Sequence, residues 1–275
     1  MGRAPADPVL TVDHRTRTLP SSSVYTQEYF LSGACEGLNE YLAGGLSQVK
    51  QHEFAYLGVQ PGELVLDLGC GRGESSAEIL RRGATPIAID YAAAAVALTH
   101  RHLDGRPLVL QADAARLPFR SASFDRVLMG DVIEHLPWDT GVAALREVQR
   151  VLVPGGQAVV HTSPNVWFIT LFMRPMRLVL KVLRHHEALG RFDEYERLRE
   201  AMHPNELNPR TMRRLMRAAG VRAETWVDKD VLRSGSSEWT AGLAQSRAIR
   251  LLTKVAAVWP FRLVLGNDLY ARITT

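Results

Sequence analysis

The sequence predicts an α/β fold in which a mainly parallel sheet is flanked by helices on both faces. From residue 50 onward, short runs rich in Val, Ile and Leu alternate with segments of helical periodicity, and a glycine-rich turn follows the first run. Strands covered on both faces are continuously apolar, and strands that alternate with helices are typical of parallel sheets. With 275 residues, 46% of them hydrophobic, the chain is long enough to bury a substantial core.

The elements follow one another regularly as far as residue 164. Each apolar run predicts a strand, and each helix-like segment ends near a glycine. The predicted strands span 63–69, 85–91, 107–113, 124–131 and 157–164, and the predicted helices span 74–83, 92–103 and 140–152. A helix over 209–220 and strands over 221–227 and 266–273 follow later in the chain.

Two long segments interrupt this alternation, at 165–204 and 233–262. Insertions of this size in a compact domain are commonly functional, so we predict a helical lid over the first and an amphipathic segment over the second. Residues 1–23 are polar and lack the apolar stretch of a secretory signal, which predicts a disordered tail before a domain over 24–275. Cys35 and Cys70 provide neither a disulfide framework nor a metal-ligand spacing, so we expect a cytoplasmic protein without a metal.

The turn Gly69-Cys70-Gly71-Arg72-Gly73 indicates a ligand site, because ligands of open α/β sheets bind beyond the carboxyl ends of the strands. Its spacing is G-x-G-x-G, whereas a dinucleotide site has G-x-G-x-x-G, and no nucleotide P-loop motif occurs in the chain. A turn of this kind suits a smaller anion, such as a carboxylate, at a helix N-terminus. Cys70 within it is interpreted as a small packing residue.

Acidic residues at the ends of the next strands complete the ligand. Asp90 is placed to accept hydrogen bonds from ribose hydroxyls, and Asp113 is placed to accept one from an adenine amino group. Backbone amides near Ala114 would meet the ring nitrogens. Asp67 ends the first strand, where it serves either the ligand or the turn itself. A ribose, an adenine and a short zwitterionic tail together describe S-adenosylmethionine.

The stretches "VLDLGCGRG", "QADAARLPF", "SFDRVLMGDVIEHL" and "REVQRVLVPGG", with Asp90 between the first two, resemble the ordered motifs of class I S-adenosylmethionine-dependent methyltransferases over residues 63–164. The resemblance implies a Rossmann-like sheet of seven strands, the last of them antiparallel. It implies a cofactor site formed by Asp67, Gly69, Gly71, Gly73, Asp90, Asp113 and Asp131, to which we add the neighbouring Cys70, Tyr91 and Ala114.

Three further stretches, "YTQEYF", "VVHTSPN" and "HPNELNP", are similar to those of bacterial small-molecule or glycan-pathway methyltransferases and, less closely, of quinone-biosynthesis O-methyltransferases. The first of these stretches would cap the cofactor in such enzymes. The resemblance therefore adds Tyr25 and Tyr29 to the candidate cofactor-binding residues.

Three histidines are candidate general bases, since the pKa of histidine lies near working pH. His135 follows the fourth strand, His161 lies in the fifth, and His203 follows the first insertion. We place His135 first and His203 second. Each keeps a structural alternative: His161 as a core histidine, His135 as a partner of the adjoining loop, and His203 as an anchor of the lid.

Two segments without acidic residues, 167–186 and 246–261, combine basic with large apolar side chains. Their basic residues recur at helical spacing, so each set would share one helix face. These residues are Arg174, Arg177, Lys181 and Arg184 in the first segment and Arg247, Arg250 and Lys254 in the second. The pattern indicates either a lid with a solvated basic side or contact with an anionic membrane surface, peripheral on its inner face. It does not indicate nucleic-acid binding, because no recognition motif accompanies it.

These observations predict methyl transfer from S-adenosylmethionine to a hydrophobic or lipid-linked small molecule. O-methylation with a histidine base is the first expectation. C- or N-methylation in natural-product biosynthesis, which needs no strong base, is the second. A non-catalytic cofactor-binding protein on the same fold is the third, and the glycine spacing disfavours an NAD-dependent oxidoreductase.

Overall fold

The computed structural model describes residues 21–32, 35–182, 184, 186–228, 258 and 261–275. Their strands form one seven-stranded sheet in the order β3-β2-β1-β4-β5-β7-β6. The strands are β1 Leu64–Leu68, β2 Thr85–Asp90, β3 Leu108–Gln111, β4 Phe124–Gly130, β5 Leu152–Thr162, β6 Ala223–Val227 and β7 Leu269–Thr274. Strand β7 is antiparallel to both of its neighbours, and the other strands run parallel. The predicted Rossmann-like α/β fold, with an antiparallel last strand, is confirmed.

Eleven α-helices are present in the described ranges. They are α1 Gln27–Phe30, α2 Leu38–Leu42, α3 Gln48–Leu57, α4 Glu74–Arg81, α5 Ala93–His102, α6 Trp138–Val151, α7 Val166–Phe168, α8 Arg174–Val182, α9 His186–Met202, α10 Pro209–Ala219 and α11 Phe261–Leu265. Short 3₁₀ turns cover Ser22–Val24 and Ile133–His135, and a π-helical turn covers Ile169–Met173. Ser22–Val24 overlaps the end of the predicted tail, whose residues 1–20 lie outside the described residues.

The core lies on both faces of the sheet. On one face, α6 packs against β5 and α10 packs against α6 and β6, with Leu145 and Leu215 fully buried in the same cluster as Val127. On the other face, Phe54 of α3 and Ile79 of α4 are equally buried. Because successive side chains of a strand point to opposite faces, a strand between two apolar layers must be apolar throughout. This is why the strands read as continuous apolar runs.

Strand β5 begins earlier than the sequence predicts. Leu152 pairs with Phe124, and the register then shifts so that Gln157 pairs with Arg126. The stretch Pro154-Gly155-Gly156 is therefore an irregularity within the strand and not a separate loop before it. Pairing by the residues in front of this stretch accounts for the difference of five positions, because a bulge lets a strand continue past an unpaired turn.

The first insertion is helical, as predicted, and consists of α7, the π-helical turn, α8 and α9. The predicted row of four basic residues is shorter than expected: α8 ends at Val182, and Arg184 lies beyond it with a φ of 56°. Most of the second insertion, 233–262, lies outside the described residues, as does its basic set Arg247, Arg250 and Lys254. Within the described ranges, every helix is too short or too polar to cross a bilayer.

Candidate active site

A cavity of about 240 Å³ lies at the carboxyl ends of the parallel strands, where open α/β sheets bind ligands. The N-terminal segment containing α1 closes one side of it. Twelve of the residues predicted for the site line this cavity: Tyr25, Tyr29, Gly69, Cys70, Gly71, Asp90, Tyr91, Asp113, Ala114, Asp131, His135 and His203. Asp67, Gly73 and His161 lie behind its wall.

The glycine turn brings backbone close to its neighbours. Gly69 has a φ of 85°, and a Cβ built on it would lie 2.2 Å from Val132 Cγ2. Gly73, with a φ of 92°, precedes α4 and would place a Cβ 3.2 Å from Cα of Thr99 in α5. Left-handed backbone of this kind favours glycine. Gly69 thus keeps the turn open at the cavity wall, whereas Gly73 serves the packing of two helices.

Asp90 ends β2 and supports the turn. Its Oδ2 accepts a hydrogen bond from the Gly71 amide at 3.1 Å, and its Oδ1 accepts one from the Ala92 amide at 2.8 Å. Burial raises the pKa of this carboxyl group to about 6. Each carboxylate oxygen accepts more than one hydrogen bond, so Asp90 retains capacity for two hydroxyl donors from the cavity.

Asp67 has a supporting position instead. It is 3% exposed, and its Oδ2 accepts a hydrogen bond from Ser76 Oγ at 2.6 Å. Burial raises the pKa of this carboxyl group to about 6. The contact ties β1 to α4 beneath the glycine turn, which corresponds to the alternative role that the sequence left open.

The far end of the cavity is open to solvent. Asp113 is exposed, and its Oδ1 accepts a hydrogen bond from the Ala115 amide at 2.9 Å. Tyr91 is 38% exposed, and its carbonyl accepts a hydrogen bond from Gln111 at 3.0 Å. This rim presents an acceptor, Asp113, and an aromatic face next to the buried Ala114, which suits a flat heterocycle carrying an amino group.

A residue that was not predicted, Arg72, fastens the N-terminal segment to the glycine turn. It is 3% exposed and donates to the carbonyls of Phe30 at 3.2 Å and Glu36 at 2.5 Å. Its Nε donates to Glu74 at 2.9 Å. These contacts hold Phe30 and the neighbouring Tyr29, whose ring centroids lie 5.2 Å apart, over the cavity.

His135 and His203 lie side by side in the cavity wall, with ring centroids 4.7 Å apart. The Nδ1 of His135 lies 2.9 Å from the Met202 carbonyl and 3.3 Å from the Tyr25 hydroxyl. A carbonyl only accepts, so Nδ1 carries the proton and Nε2 is left unprotonated. Burial lowers the pKa of His135, and burial together with His135 lowers the pKa of His203 further. Both imidazoles are therefore neutral at pH 7.

His161 lies behind the wall among carboxylates. Its Nδ1 is 3.0 Å from Asp131 Oδ1 and 3.2 Å from Glu53 Oε1, while its Nε2 is 3.4 Å from Asp268 Oδ1. Although burial opposes it, Asp131 raises the pKa of His161 well above its usual range, and the protonated His161 in turn lowers the pKa of Asp131. A protonated imidazole held by three carboxylates cannot act as a base, so the geometry gives His161 a structural role.

Lys50, the half-buried Glu36 and the buried Glu134 also line the cavity without having been predicted. Although burial opposes it, the neighbouring carboxylates raise the pKa of Lys50, which remains a cation. Burial raises the pKa of Glu36 to about 7. Burial and the charge of Asp131 raise the pKa of Glu134, which accepts a hydrogen bond from Thr162 Oγ1 at 2.9 Å. Lys50 is thus a cation suited to a ligand carboxylate near the glycine turn.

Two groups within the described ranges have the spacing of metal ligands, with candidate atoms within 4.8 Å of one another: Glu134, His135 and His203, and Glu53, Asp131 and His161. In the second group the carboxylates already neutralise protonated His161. In the first, the Nδ1 of His135 is held by Met202 and a Glu134 oxygen by Thr162. The Nδ1 of His203, by contrast, is buried without a hydrogen-bond partner among the described residues.

Comparison with known proteins places the chain in a family. Residues 66–160 match the family described as a methyltransferase domain. The chain is 36% identical over 138 residues to demethylmenaquinone methyltransferase of Beutenbergia cavernae, a match covering 49% of this chain and 56% of that relative. It is 31% identical over 170 residues to 2-phytyl-1,4-naphtoquinone methyltransferase of Thermosynechococcus vestitus, covering 57% of this chain and 73% of the relative.

Solved structures agree on the fold. A SAM dependent methyltransferase from Archaeoglobus fulgidus superposes with a TM-score of 0.54 at 18% identity, covering 86% of this chain and 98% of that chain. The chain thus has the sheet order, the glycine turn and the acidic strand ends described above, and its sequence matches quinone methyltransferases over the same region. The chain belongs to the class I S-adenosylmethionine-dependent methyltransferases.

Proposed function

We propose that this protein transfers a methyl group from S-adenosylmethionine to a hydrophobic or lipid-linked small molecule, most simply a quinol. The observation that carries the proposal is a single cavity that joins two half-sites. One half contains Asp90 and the Gly71 amide, and the other contains neutral His135 beside His203. The two curated relatives described above are named for menaquinone- and naphthoquinone-type substrates, which supports an acceptor of this class.

The residues present fit the cofactor. Gly69 lets the turn run directly against Val132 at the cavity wall, and Lys50 supplies a half-buried cation near that turn. Asp90 would hold the ribose hydroxyls, Asp113 the adenine amino group, and Lys50 the carboxylate. The aromatic side chains held by Arg72 would exclude water from the reacting centre. The bound cofactor supplies an electrophilic methyl group, and the protein's part is to position the acceptor and to take up its proton.

His135 is the proposed base. Its Nδ1–H is directed at the Met202 carbonyl, which fixes the ring and leaves Nε2 to accept the proton of an acceptor hydroxyl. His203 packs against His135 and is neutral. Its ring therefore does not repel a proton that His135 takes up. Removing the proton of a quinol hydroxyl makes both the oxygen and the adjacent ring carbons more nucleophilic. The same base therefore serves O-methylation, our first expectation, and C-methylation.

The test uses radiolabelled methyl donor and a reduced short-chain naphthoquinone, with product partitioned between organic solvent and water. We expect label in the organic phase, and mass spectrometry of the product separates an O-methyl from a C-methyl group. Asp90→Asn should lose most of the label. Asp104→Asn, an exposed aspartate with a φ of 50° that asparagine accommodates, is the matched control. Cofactor binding without label in any acceptor class would instead indicate a non-catalytic protein.

A further inference from the structure

The outer face of α8 exposes apolar side chains that the fold leaves uncovered. Leu178 is 64% exposed and Val182 is 73% exposed, and Leu171 in the preceding π-helical turn is 59% exposed. Leu178 and Val182 are four residues apart, so they lie on one stripe of the helix. Single exposed apolar residues are common on proteins, but an aligned row marks an interaction surface.

The opposite face of α8 is partly buried by the rest of the protein. Met176 and Leu180 are half-buried, and at about 100° per residue they lie about 160° around the helix from Leu178 and Val182. Arg177 forms an ion pair with Asp193 of α9 at 2.7 Å. The inner apolar face belongs to a helix that packs against α9 and the π-helical turn, whereas the outer stripe is exposed.

Cations border this stripe. Arg174 and Lys181 are exposed and lie within about 40–100° of Leu178 and Val182, along one edge of the stripe. Arg184 follows the end of the helix and is also exposed. From Val148 to His186 the chain contains no acidic residue, so every charged side chain that α8 itself contributes is a cation. An apolar stripe bordered by cations complements the acyl boundary and anionic headgroups of a membrane interface.

The helices are rooted at the cavity. Ser163, just before α7, and His203, just after α9, both line it, so the polypeptide leaves the cavity, presents α8 and returns to the cavity. We propose that the outer face of α8 docks on an anionic membrane surface, so that a lipid-linked acceptor enters the cavity from the bilayer. Only the origin of the acceptor rests on the proposed function, because membrane docking requires no turnover.

The experiment is flotation of the full chain with vesicles of phosphatidylcholine alone or with about 30% phosphatidylglycerol, at about 0.1 M and 0.5 M salt. We expect binding to the anionic vesicles that weakens at high salt. Leu178→Gln with Val182→Gln should weaken it at least about tenfold. Arg174→Gln with Lys181→Gln should weaken it about 30-fold, or about fivefold for each charge.

Matched controls remove equivalent groups elsewhere. Leu108→Gln changes a leucine that is 52% exposed on edge strand β3, and Arg116→Gln with Arg120→Gln removes two exposed charges. Both should bind vesicles like the parent chain. The proposal is overturned if the α8 variants bind equally well, if neutral vesicles bind equally well, or if Leu178→Gln abolishes a concentration-dependent dimer, which would identify a second copy as the occupant.

The proposed function is measured separately. The α8 variants should methylate the short-chain naphthoquinol in buffer at the parental rate, because none of the changed residues lines the cavity. Loss of vesicle binding with full turnover in buffer supports docking and catalysis together. Vesicle binding without turnover of any acceptor would refute the proposed function and leave the membrane surface standing.

Discussion

Arg72→Lys tests whether the N-terminal segment must be fastened for the cofactor to bind. Lysine keeps a cation near Glu74, so that carboxylate is not left unpaired, but it cannot reproduce the fork that reaches Phe30 and Glu36. Hydrogen bonds from a charged donor contribute about 1.5 kcal/mol at the low end, so losing two costs about 3 kcal/mol. If the segment releases in the free protein, the apparent Kd for the cofactor rises by up to about 100-fold.

Calorimetry of S-adenosylmethionine binding gives the Kd, and limited proteolysis with chymotrypsin reports release of the segment at Tyr25, Tyr29 and Phe30. We expect faster cleavage there in Arg72→Lys and protection by saturating cofactor. Arg81→Lys is the control, because Arg81 ends α4, the helix that follows the glycine turn, and pairs with Glu78, but its side chain is 73% exposed. A Kd within about threefold of the parent, together with unchanged cleavage, would refute the fastening role.

Further outcomes are expected at Asp90, His135, Gly69 and the two histidine–carboxylate groups. The Kd for the cofactor should be constant above about pH 7 and rise about tenfold per pH unit below 6, because the carboxylate form of Asp90 is lost as pH falls through its raised pKa. Asp90→Asn should show no such dependence. Calorimetry from pH 5 to 8 measures both. The raised pKa of Asp90 affects stability in the opposite direction. The contribution of Asp90 to the free energy of unfolding is fully present below its unfolded pKa and is lost as pH rises through 6. In this pH range the unliganded protein therefore loses stability while its binding site becomes competent. His135→Gln should lower kcat by about 100-fold or more with little change in the Kd for the cofactor. His161→Gln should instead lower Tm and leave the pH profile of kcat unchanged. A parental kcat for His135→Gln would exclude His135 as the base. Gly69→Ala should lower the free energy of unfolding by at least about 2 kcal/mol, as measured by denaturant titration. Adding Val132→Ala to this variant should restore part of the loss. No recovery would show that backbone strain, and not the contact with Val132, causes the loss. Activity should stay within about twofold after exhaustive chelation, and a loss of tenfold or more that zinc or magnesium restores would make one of the two histidine–carboxylate groups a metal site.

The cofactor half of the site could be predicted because it is built from local sequence. Gly69, Gly71 and Asp90 occupy the ends of adjacent strands, and the topology of an open parallel sheet brings such ends together whatever the rest of the chain does. Asp67 lies at the end of β1, as predicted, but it does not line the cavity, since its burial and its bond to Ser76 depend on how α4 packs. The sequence thus brings Gly69, Gly71 and Asp90 to one edge of the sheet, and their role in cofactor binding stays a prediction.

The remaining residues depend on contacts that no local pattern contains. Arg72 occupies a variable position of the glycine turn, and only the path of the N-terminal segment gives it carbonyl partners. Lys50 lies in α3, whose sequence reads as an ordinary surface helix. His161 was a candidate base because it sits in a strand near the site, but alternation along β5 directs it toward Glu53, where it is protonated. Likewise, no spacing of residues in the sequence predicts that Lys50 lies among glutamates.

The position of β7 has a consequence for how this chain is made. Among the strands that the structure describes, β6 pairs with β7 alone, and β7 lies between β5 and β6 although it is synthesised after both. From Val227 at the end of β6 to Leu269 at the start of β7 there are 42 residues, so at about 5–20 residues per second a ribosome needs roughly 2–8 s to supply the missing strand. During that interval, the β5 edge and the nascent β6 both lack their hydrogen-bonding partner. Chaperone contact with the emerging chain would therefore be concentrated at these two strands, and it would end when Tyr270 enters the core.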